Sequence, residues 1–263
     1  MTDVPTLPLL DGSTIPAVGL GTYSLTGDAG AEAVAAALRT GYRLLDSAQG
    51  YGNEDAVGEG MRRSGVDRSE LVLTTKLPDD DHGYDETLAS FDRSAAALKL
   101  DRVDLYLIHW PVPERDLYVD SWRAMIRLRD EGRIRSLGVS NFSPEQIERL
   151  ERETGETPAV NQVELRIGLD QAELRRFHES RRIVTESYSP LKHGRALAQD
   201  PVLRRIADAH GVQWNQALLR WNLQLGTVVI PRSKDPQRQA TNLDVFGFEL
   251  SDDEMAAISG LRP

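Results

Sequence analysis

Apolar residues along this chain fall into eight short runs rich in aliphatic and β-branched side chains. Longer stretches between them repeat apolar positions three and four residues apart. The runs cover residues 18–20, 42–45, 71–74, 103–108, 134–139, 159–163, 183–185 and 227–230, and each is short enough to be a strand. Ahead of the first, residues 7–15 set an Asp11-Gly12 pair between short apolar stretches, a strong hairpin signal. The helical stretches carry their own punctuation. Residues 28–39 are Ala-rich and open on Asp28 as a candidate cap, while 86–98 and 121–129 show apolar spacing of three and four. Ser143 followed by Pro144 has the cap-then-proline form of a helix start, and the helix predicted over 201–209 stops before Gly211.

Strand–helix alternation repeated eight times implies parallel pairing through crossover helices. The predicted architecture is a (β/α)₈ TIM barrel with an N-terminal β-hairpin. Such a barrel takes about 250 residues, close to the 263 present. An open doubly wound sheet is the competing arrangement. No Gly-x-Gly-x-x-Gly follows the first strand, which weighs against a Rossmann reading. No composition shift or Pro/Ser-rich linker divides the chain, so residues 1–263 read as one domain.

Composition narrows the partners. Hydrophobic residues make up 40% and charged residues 27%, the balance of a globular chain with a substantial core. A net charge of −10 argues against nucleic acid or an anionic membrane as the main partner. Cysteine is absent, which excludes a disulfide framework, a thiolate zinc site and a cysteine nucleophile, and fits a reducing cytoplasm. The opening Met1-Thr2-Asp3-Val4-Pro5 has neither the basic segment nor the apolar run of a signal peptide. No stretch approaches the roughly 20 apolar residues that span a bilayer, so a cytoplasmic protein without a membrane partner is expected.

A barrel gathers its chemistry at the C-terminal ends of its strands. Asp46 closes the second predicted strand, Lys76 the third and His109 the fourth, while Tyr51 follows Asp46 on the next loop. Each has a plainer reading: a structural ion pair for Asp46 and Lys76, a satisfied half-buried His109, and a packing role for Tyr51. Taken together, a carboxylate, an ammonium, an imidazole and a phenol on one rim form a proton-delivery device. Hydride addition to a carbonyl builds negative charge on oxygen, which the site must protonate or stabilise. A free tyrosine titrates near about 10. A neighbouring Lys76 ammonium, held by Asp46, is expected to lower that value, with His109 hydrogen-bonding the substrate oxygen. The five histidines show no ligand-like spacing with Asp or Glu, so no metal site is expected.

The motifs that complete this picture are Gly41-Tyr42-Arg43-Leu44-Leu45-Asp46-Ser47-Ala48-Gln49-Gly50-Tyr51-Gly52-Asn53-Glu54, Leu105-Tyr106-Leu107-Ile108-His109-Trp110-Pro111, Gly138-Val139-Ser140-Asn141-Phe142, Asn161-Gln162-Val163-Glu164 and Ile230-Pro231-Arg232-Ser233. In this order they closely resemble the aldo-keto reductase family, nearly end to end. They look nearest to its short microbial branch that includes the diketogluconate reductases. The resemblance implies a catalytic tetrad of Asp46, Tyr51, Lys76 and His109, with hydride from nicotinamide and a proton from Tyr51. It implies carboxamide contacts from Ser140, Asn141 and Gln162, and nicotinamide stacking on Tyr188. Gly21, Thr22, Tyr23, Asp46, Ser189, Leu191 and Ile230 join the implied cofactor contacts. Arg232, Ser233 and Arg238 match positions that hold an adenosine 2′-phosphate, and Asn242 an adenine contact, so NADPH (NADP+) is the implied cofactor. Arg suits that task because its planar fork matches phosphate oxygens. As residues alone, these cations also read as a solvated surface, and the polar strand-end residues as turn caps.

Tyr23, Tyr51, His109 and Trp110 are the implied substrate contacts, with a small carbonyl compound as substrate and a monomer as the working form. The chain departs from the family pattern at Tyr23, where many members have Trp, at Arg166 in place of a common His, and at Arg232 in place of Lys. It ends at Leu261-Arg262-Pro263, soon after the last helix, which leads to an expectation of an open pocket of broad specificity and against steroid-like substrates. Two other functions fit parts of the pattern. One is an NADPH-binding sensor with negligible turnover, for which Tyr51 has no use. The other is an aldolase-like barrel with Lys76 as Schiff-base nucleophile, in which the nicotinamide and phosphate motifs have no place.

Overall fold

The computed structural model describes residues 4–262. Strands β1 (Thr6–Pro8) and β2 (Thr14–Pro16) form the hairpin, antiparallel with Leu7 opposite Ile15. Its turn closes through Leu9 N–H to Ser13 O at 2.8 Å, with Gly12 at φ 82°, a left-handed position where the Asp-Gly pair is at home.

Eight parallel strands follow: β3 (Leu20–Gly21), β4 (Leu44–Asp46), β5 (Val72–Leu77), β6 (Val103–Ile108), β7 (Ile134–Ser140), β8 (Val160–Glu164), β9 (Val184–Tyr188) and β10 (Val228–Val229). From β4 onward each pairs with its predecessor in chain order. Val18 bridges Val229 in parallel, with Gly19 N–H donating to Val229 O at 2.8 Å and Val229 N–H to Ala17 O at 2.9 Å. Those bonds join the first strand to the last, which an open sheet would not do. The barrel reading therefore stands over the open-sheet alternative.

Alternation along the strands sorts side chains between two layers. Leu44, Leu105, Leu107, Val160, Val184 and Val228 pack inside the barrel, where Leu9 and Ile15 of the hairpin join them. Leu45, Leu73, Tyr106, Ile108, Leu137 and Val139 point the other way. They pack on helix residues such as Leu38, Phe91, Trp122, Leu128 and Leu150. Each fully buried aliphatic side chain contributes about 1.5–3 kcal/mol of transfer free energy. A third cluster, with Leu203, Leu218, Trp221 and Ile258, binds helices Pro201–His210, Trp214–Gln224 and Asp252–Ser259 into a separate layer.

The predicted punctuation holds at several helix ends. Ser143 caps helix Pro144–Thr154 through a capping box with Gln146. Helix Pro201–His210 ends on Gly211 at φ 66°. Asp28 is not a cap: helix Gly27–Thr40 starts one residue earlier behind Thr26, which leaves Asp28 in the first turn, a favourable place for an anion. Strand ends moved more. β5 runs on to Leu77 and β9 to Tyr188, past the predicted ends at 74 and 185. Apolar pattern stops at those points because the barrel's upper interior is polar, so hydrophobicity ends before the backbone ladder does. Among the described residues no helix is long and apolar enough to cross a membrane, and no group of three or more His, Cys, Asp or Glu side chains stands ready for a metal.

Candidate active site

Strand phase aims the polar residues. In β4, Leu44 faces the barrel interior and Leu45 the helices, so Asp46 returns inward. In β5, Leu73 and Leu77 pack outward, which sends Thr74 and Lys76 inward. Lys76 is 0% exposed, and its ammonium uses all three of its donors. They go to Asp46 Oδ1 at 2.6 Å, Ser47 O at 2.8 Å and Tyr51 Oη at 3.4 Å. Burial alone would lower the Lys76 pKa, but the adjacent Asp46 and Tyr51 oxygens reverse this and hold it above its ordinary value.

Tyr51 ends a 3₁₀ turn, Gln49–Tyr51, that is fixed from behind. Gln49 Nε2 donates to Ser90 O at 3.1 Å and Ser90 Oγ to Gln49 Oε1 at 2.7 Å, tying the turn to helix Tyr84–Leu98. Asn53 Nδ2 then donates to Thr22 O and Leu25 O at 2.7 and 3.1 Å, joining the loops that follow β3 and β4. The Lys76 ammonium lies 5.1 Å from the Tyr51 ring centroid. Contrary to the expectation from sequence, the Tyr51 pKa is raised. Burial of the phenol dominates, Lys76 opposes it, and Asp46 and Glu186 add to it. Tyr51 is thus a protonated phenol through the neutral range.

His109 follows β6, with its N–H donating to Leu77 O at 3.2 Å and its ring edge-on to Tyr51 at 5.8 Å between centroids. Burial, and then Lys76, push its pKa down to about 3, so the imidazole is neutral. Tyr23 packs edge-on to Tyr51 at 5.2 Å, and with Trp110 it stands exposed at the mouth.

These residues line a cavity of about 420 Å³ that also includes Gly21, Asp46, Ser140, Asn141, Gln162, Tyr188, Ser189, Ile230 and Arg232. Tyr188 Oη donates to Asn141 Oδ1 at 3.0 Å, Asn141 Nδ2 to His109 O at 3.2 Å, and Ser140 Oγ to Gln162 O at 2.9 Å. Gln162 Nε2 donates to Asp46 Oδ1 and to Glu186 Oε2, each at 2.8 Å. Gly21 has a steric reason: a Cβ there would lie 2.8 Å from Ile230 O. A second cavity, of about 990 Å³, holds Leu191, Ser233, Arg238 and Asn242, and Arg232 lines both. Arg232 Nη1 donates to Ser24 Oγ and, at 3.4 Å, to Tyr23 O. Of the site residues named from the sequence, Thr22 and Lys76 line neither cavity: Lys76 lies buried beneath the first, and the Thr22 hydroxyl bonds Asp46 O at 2.9 Å.

Several neighbours escaped the sequence reading. Arg195 and Lys234 add two cations to the second cavity, and Asp235 adds an acid that caps helix Pro236–Leu243. Glu186 lies fully buried beside Gln162 and Asp46. Two-residue alternation with Val184 would have exposed it, had the strand been read past Thr185. The donor set suits a nicotinamide dinucleotide phosphate. Amide and hydroxyl groups around the Tyr188 ring match a carboxamide, and four cations against Asp235 match a polyanion.

Residues 17–263 match the model of the aldo/keto reductase family. An aldo-keto reductase of Mycobacterium sp. (strain JLS) is 52% identical over 98% of this chain and 93% of its own length. The 2,5-diketo-D-gluconic acid reductase B of Corynebacterium sp. (strain SHS752001) is 49% identical over 100% of this chain and 95% of its own. A crystal structure of a Gox0644 variant in complex with NADPH superposes with a TM-score of 0.93, at 44% identity, covering 98% of this chain and 93% of that one. With its motifs in register on a closed eight-stranded barrel, the chain belongs to the aldo/keto reductase family of oxidoreductases.

Proposed function

We propose that this chain reduces small aldehydes, dicarbonyls or keto-sugars to alcohols with NADPH, and that Tyr51 gives the proton. The observation that carries this reading is the Tyr51 hydroxyl, which lines the cavity with Lys76 Nζ 3.4 Å behind it and neutral His109 beside it. NADPH is supported by the cation-lined second cavity and by the NADPH held in the Gox0644 variant. Keto-sugars are supported by the named activity of the Corynebacterium relative.

Tyr188 and Gln162 would hold the dihydronicotinamide, which would supply the hydride when bound. The remaining work belongs to the protein. As the carbonyl carbon accepts the hydride, its oxygen takes a proton from Tyr51. The tyrosinate left behind is stabilised by the Lys76 ammonium, whose charge Asp46 balances. His109 cannot compete as an acid at neutral pH, because it carries no spare proton; it donates one hydrogen bond that orients the substrate oxygen. Ser140 and Asn141 hold the cavity wall on which the carboxamide is received, and Tyr23 and Trp110 shape the mouth. The same reading takes residues 1–263 as one domain that works as a monomer in the cytoplasm, supported by the unbroken strand–helix alternation and the lack of cysteine.

The test follows NADPH consumption with methylglyoxal and with 2,5-diketo-D-gluconate, in the parent and in Tyr51→Phe. Removing a general acid costs about 10²–10⁴-fold, so turnover should fall by that factor while NADPH still binds. Tight NADPH binding with no turnover of any carbonyl by the parent would move the protein to a sensor. Near-parent rates in Tyr51→Phe would remove the role of that residue.

A further inference from the structure

Glu186 has no part in the chemistry above, yet it sits at the centre of the barrel. It is 0% exposed, on the inward phase of β9 between Val184 and Tyr188. Its Oε2 accepts from Gln162 Nε2 at 2.8 Å, and its Oε1 has no partner among the described residues. Among the described residues no cation bonds to it, and Lys76 spends its three donors on Asp46, Ser47 and Tyr51. The charged or titratable groups that face it are Asp46 from β4, Lys76 from β5 and Tyr51 from the turn beyond; β8 offers the Gln162 amide and β10 the apolar Val228.

The geometry decides how Gln162 is presented. Both amide protons are committed, one to Asp46 Oδ1 and one to Glu186 Oε2. A single acceptor would leave the amide plane free to tilt. Two acceptors, on β4 and on β9, fix the plane and exclude the flipped form, in which a carbonyl oxygen would confront both carboxyls. Gln162 lines the cavity, so its Oε1 is the atom left to face a ligand.

We propose that Glu186 is a positioning residue that, through Gln162, holds one acceptor oxygen towards the carboxamide of the bound nicotinamide. This deepens the function proposed above and rests on its placement of the carboxamide at Gln162. Protonation fits the arrangement. Leaving a lone carboxylate this deep is costly, and burial, with Asp46 close by, pushes the Glu186 pKa up to about 8. The neutral acid accepts from Gln162 without placing a second anion beside Asp46. Above that range Glu186 ionises, and its charge favours the cationic ring of NADP+ over the neutral ring of NADPH.

The experiment measures binding alone, so it stands whether or not the chain turns over a carbonyl. Dissociation constants for NADPH, NADP+ and 2′,5′-ADP are measured from pH 6 to 9.5 in the parent, Glu186→Leu and Glu186→Gln. In Glu186→Leu, NADPH should weaken about tenfold, the scale of one lost hydrogen bond that leaves its donor unpaired. Binding of 2′,5′-ADP, which has no nicotinamide, should hold within about twofold. It also reports that the variant is folded. Glu186→Gln should bring NADPH back to within about threefold and abolish the gain in NADP+ affinity that the parent shows through pH 8. Parent-like NADPH binding in Glu186→Leu would overturn the proposal. So would equal loss of 2′,5′-ADP, failure of Glu186→Gln to restore binding, or an unchanged pH dependence in that variant.

Discussion

Lys76 Nζ stands 2.6 Å from Asp46 Oδ1, and neither side chain is more than 3% exposed. An ion pair this deep is held by geometry rather than by net gain, because removing two charges from water costs about as much as their attraction returns. Its value lies in keeping an ammonium against Tyr51 where no water can replace it.

Lys76→Met therefore carries two costs. It leaves Asp46 buried without its cation, with Gln162 Nε2 the one donor to its side chain that remains among the described residues, and breaking such a pair costs about 3–5 kcal/mol. Under the proposed mechanism it also removes the charge that would stabilise a tyrosinate. A lower unfolding midpoint in denaturant together with a loss of turnover is expected. A variant as stable as the parent would show that the pair is solvated in solution.

The pH dependence of stability has a clear sign. His82, His109 and His178 have folded pKa values of about 4, 3 and 4, all pushed down first by burial. Unfolded, each titrates near about 6.5. Below that pH the unfolded chain binds protons that the native chain refuses, so stability is lost as pH falls from 6.5 towards 4. Each group contributes a slope of about 1.4 kcal/mol per pH unit when fully engaged. Glu186 acts the other way, holding a proton in the fold that the unfolded chain releases; it offsets one histidine between about 4.5 and 6.5, and from there to about 8 it alone makes stability fall as pH rises. Urea midpoints at pH 5 and pH 7 check the balance: the protein should be weaker at pH 5, and equal midpoints would mean that the histidines are protonated in the fold.

Cofactor preference should depend on Arg232 and Arg238, with Arg195 and Lys234 nearby and Asp235 opposing them. Arg232→Ala with Arg238→Ala removes two guanidinium groups, one of them 73% exposed and screened by water, so the loss should be modest for each. The ratio of kcat/KM for NADPH over NADH should shrink, chiefly through KM of NADPH. A ratio unchanged by the double substitution would place the 2′-phosphate elsewhere.

Local signals in the chain were enough for much of this. The Asp11-Gly12 turn, the Ser143 cap and the stop at Gly211 each act over a few residues, so the sequence carries them directly. The eight strands were legible because their apolar residues face either the interior or the helices. Asp46, Tyr51, Lys76 and His109 were legible as neighbours because each lies at or near a strand end, and all four meet at one cavity or directly beneath it.

What the sequence determined by itself was therefore the order of elements and the identity of the groups at one rim. Tertiary structure decided the rest. Closure rests on Val18 and Val229, which lie at opposite ends of the chain. The direction of the Tyr51 shift depends on how much water the folded barrel excludes, a sum over distant atoms that overrides the Lys76 charge. Gln162 reaches Asp46 across 116 residues of sequence, and Glu186 joins them only because β9 outlasts its own hydrophobic pattern. Short-range chemistry can be read along a chain, whereas desolvation and hydrogen-bond satisfaction belong to the surroundings that folding assembles.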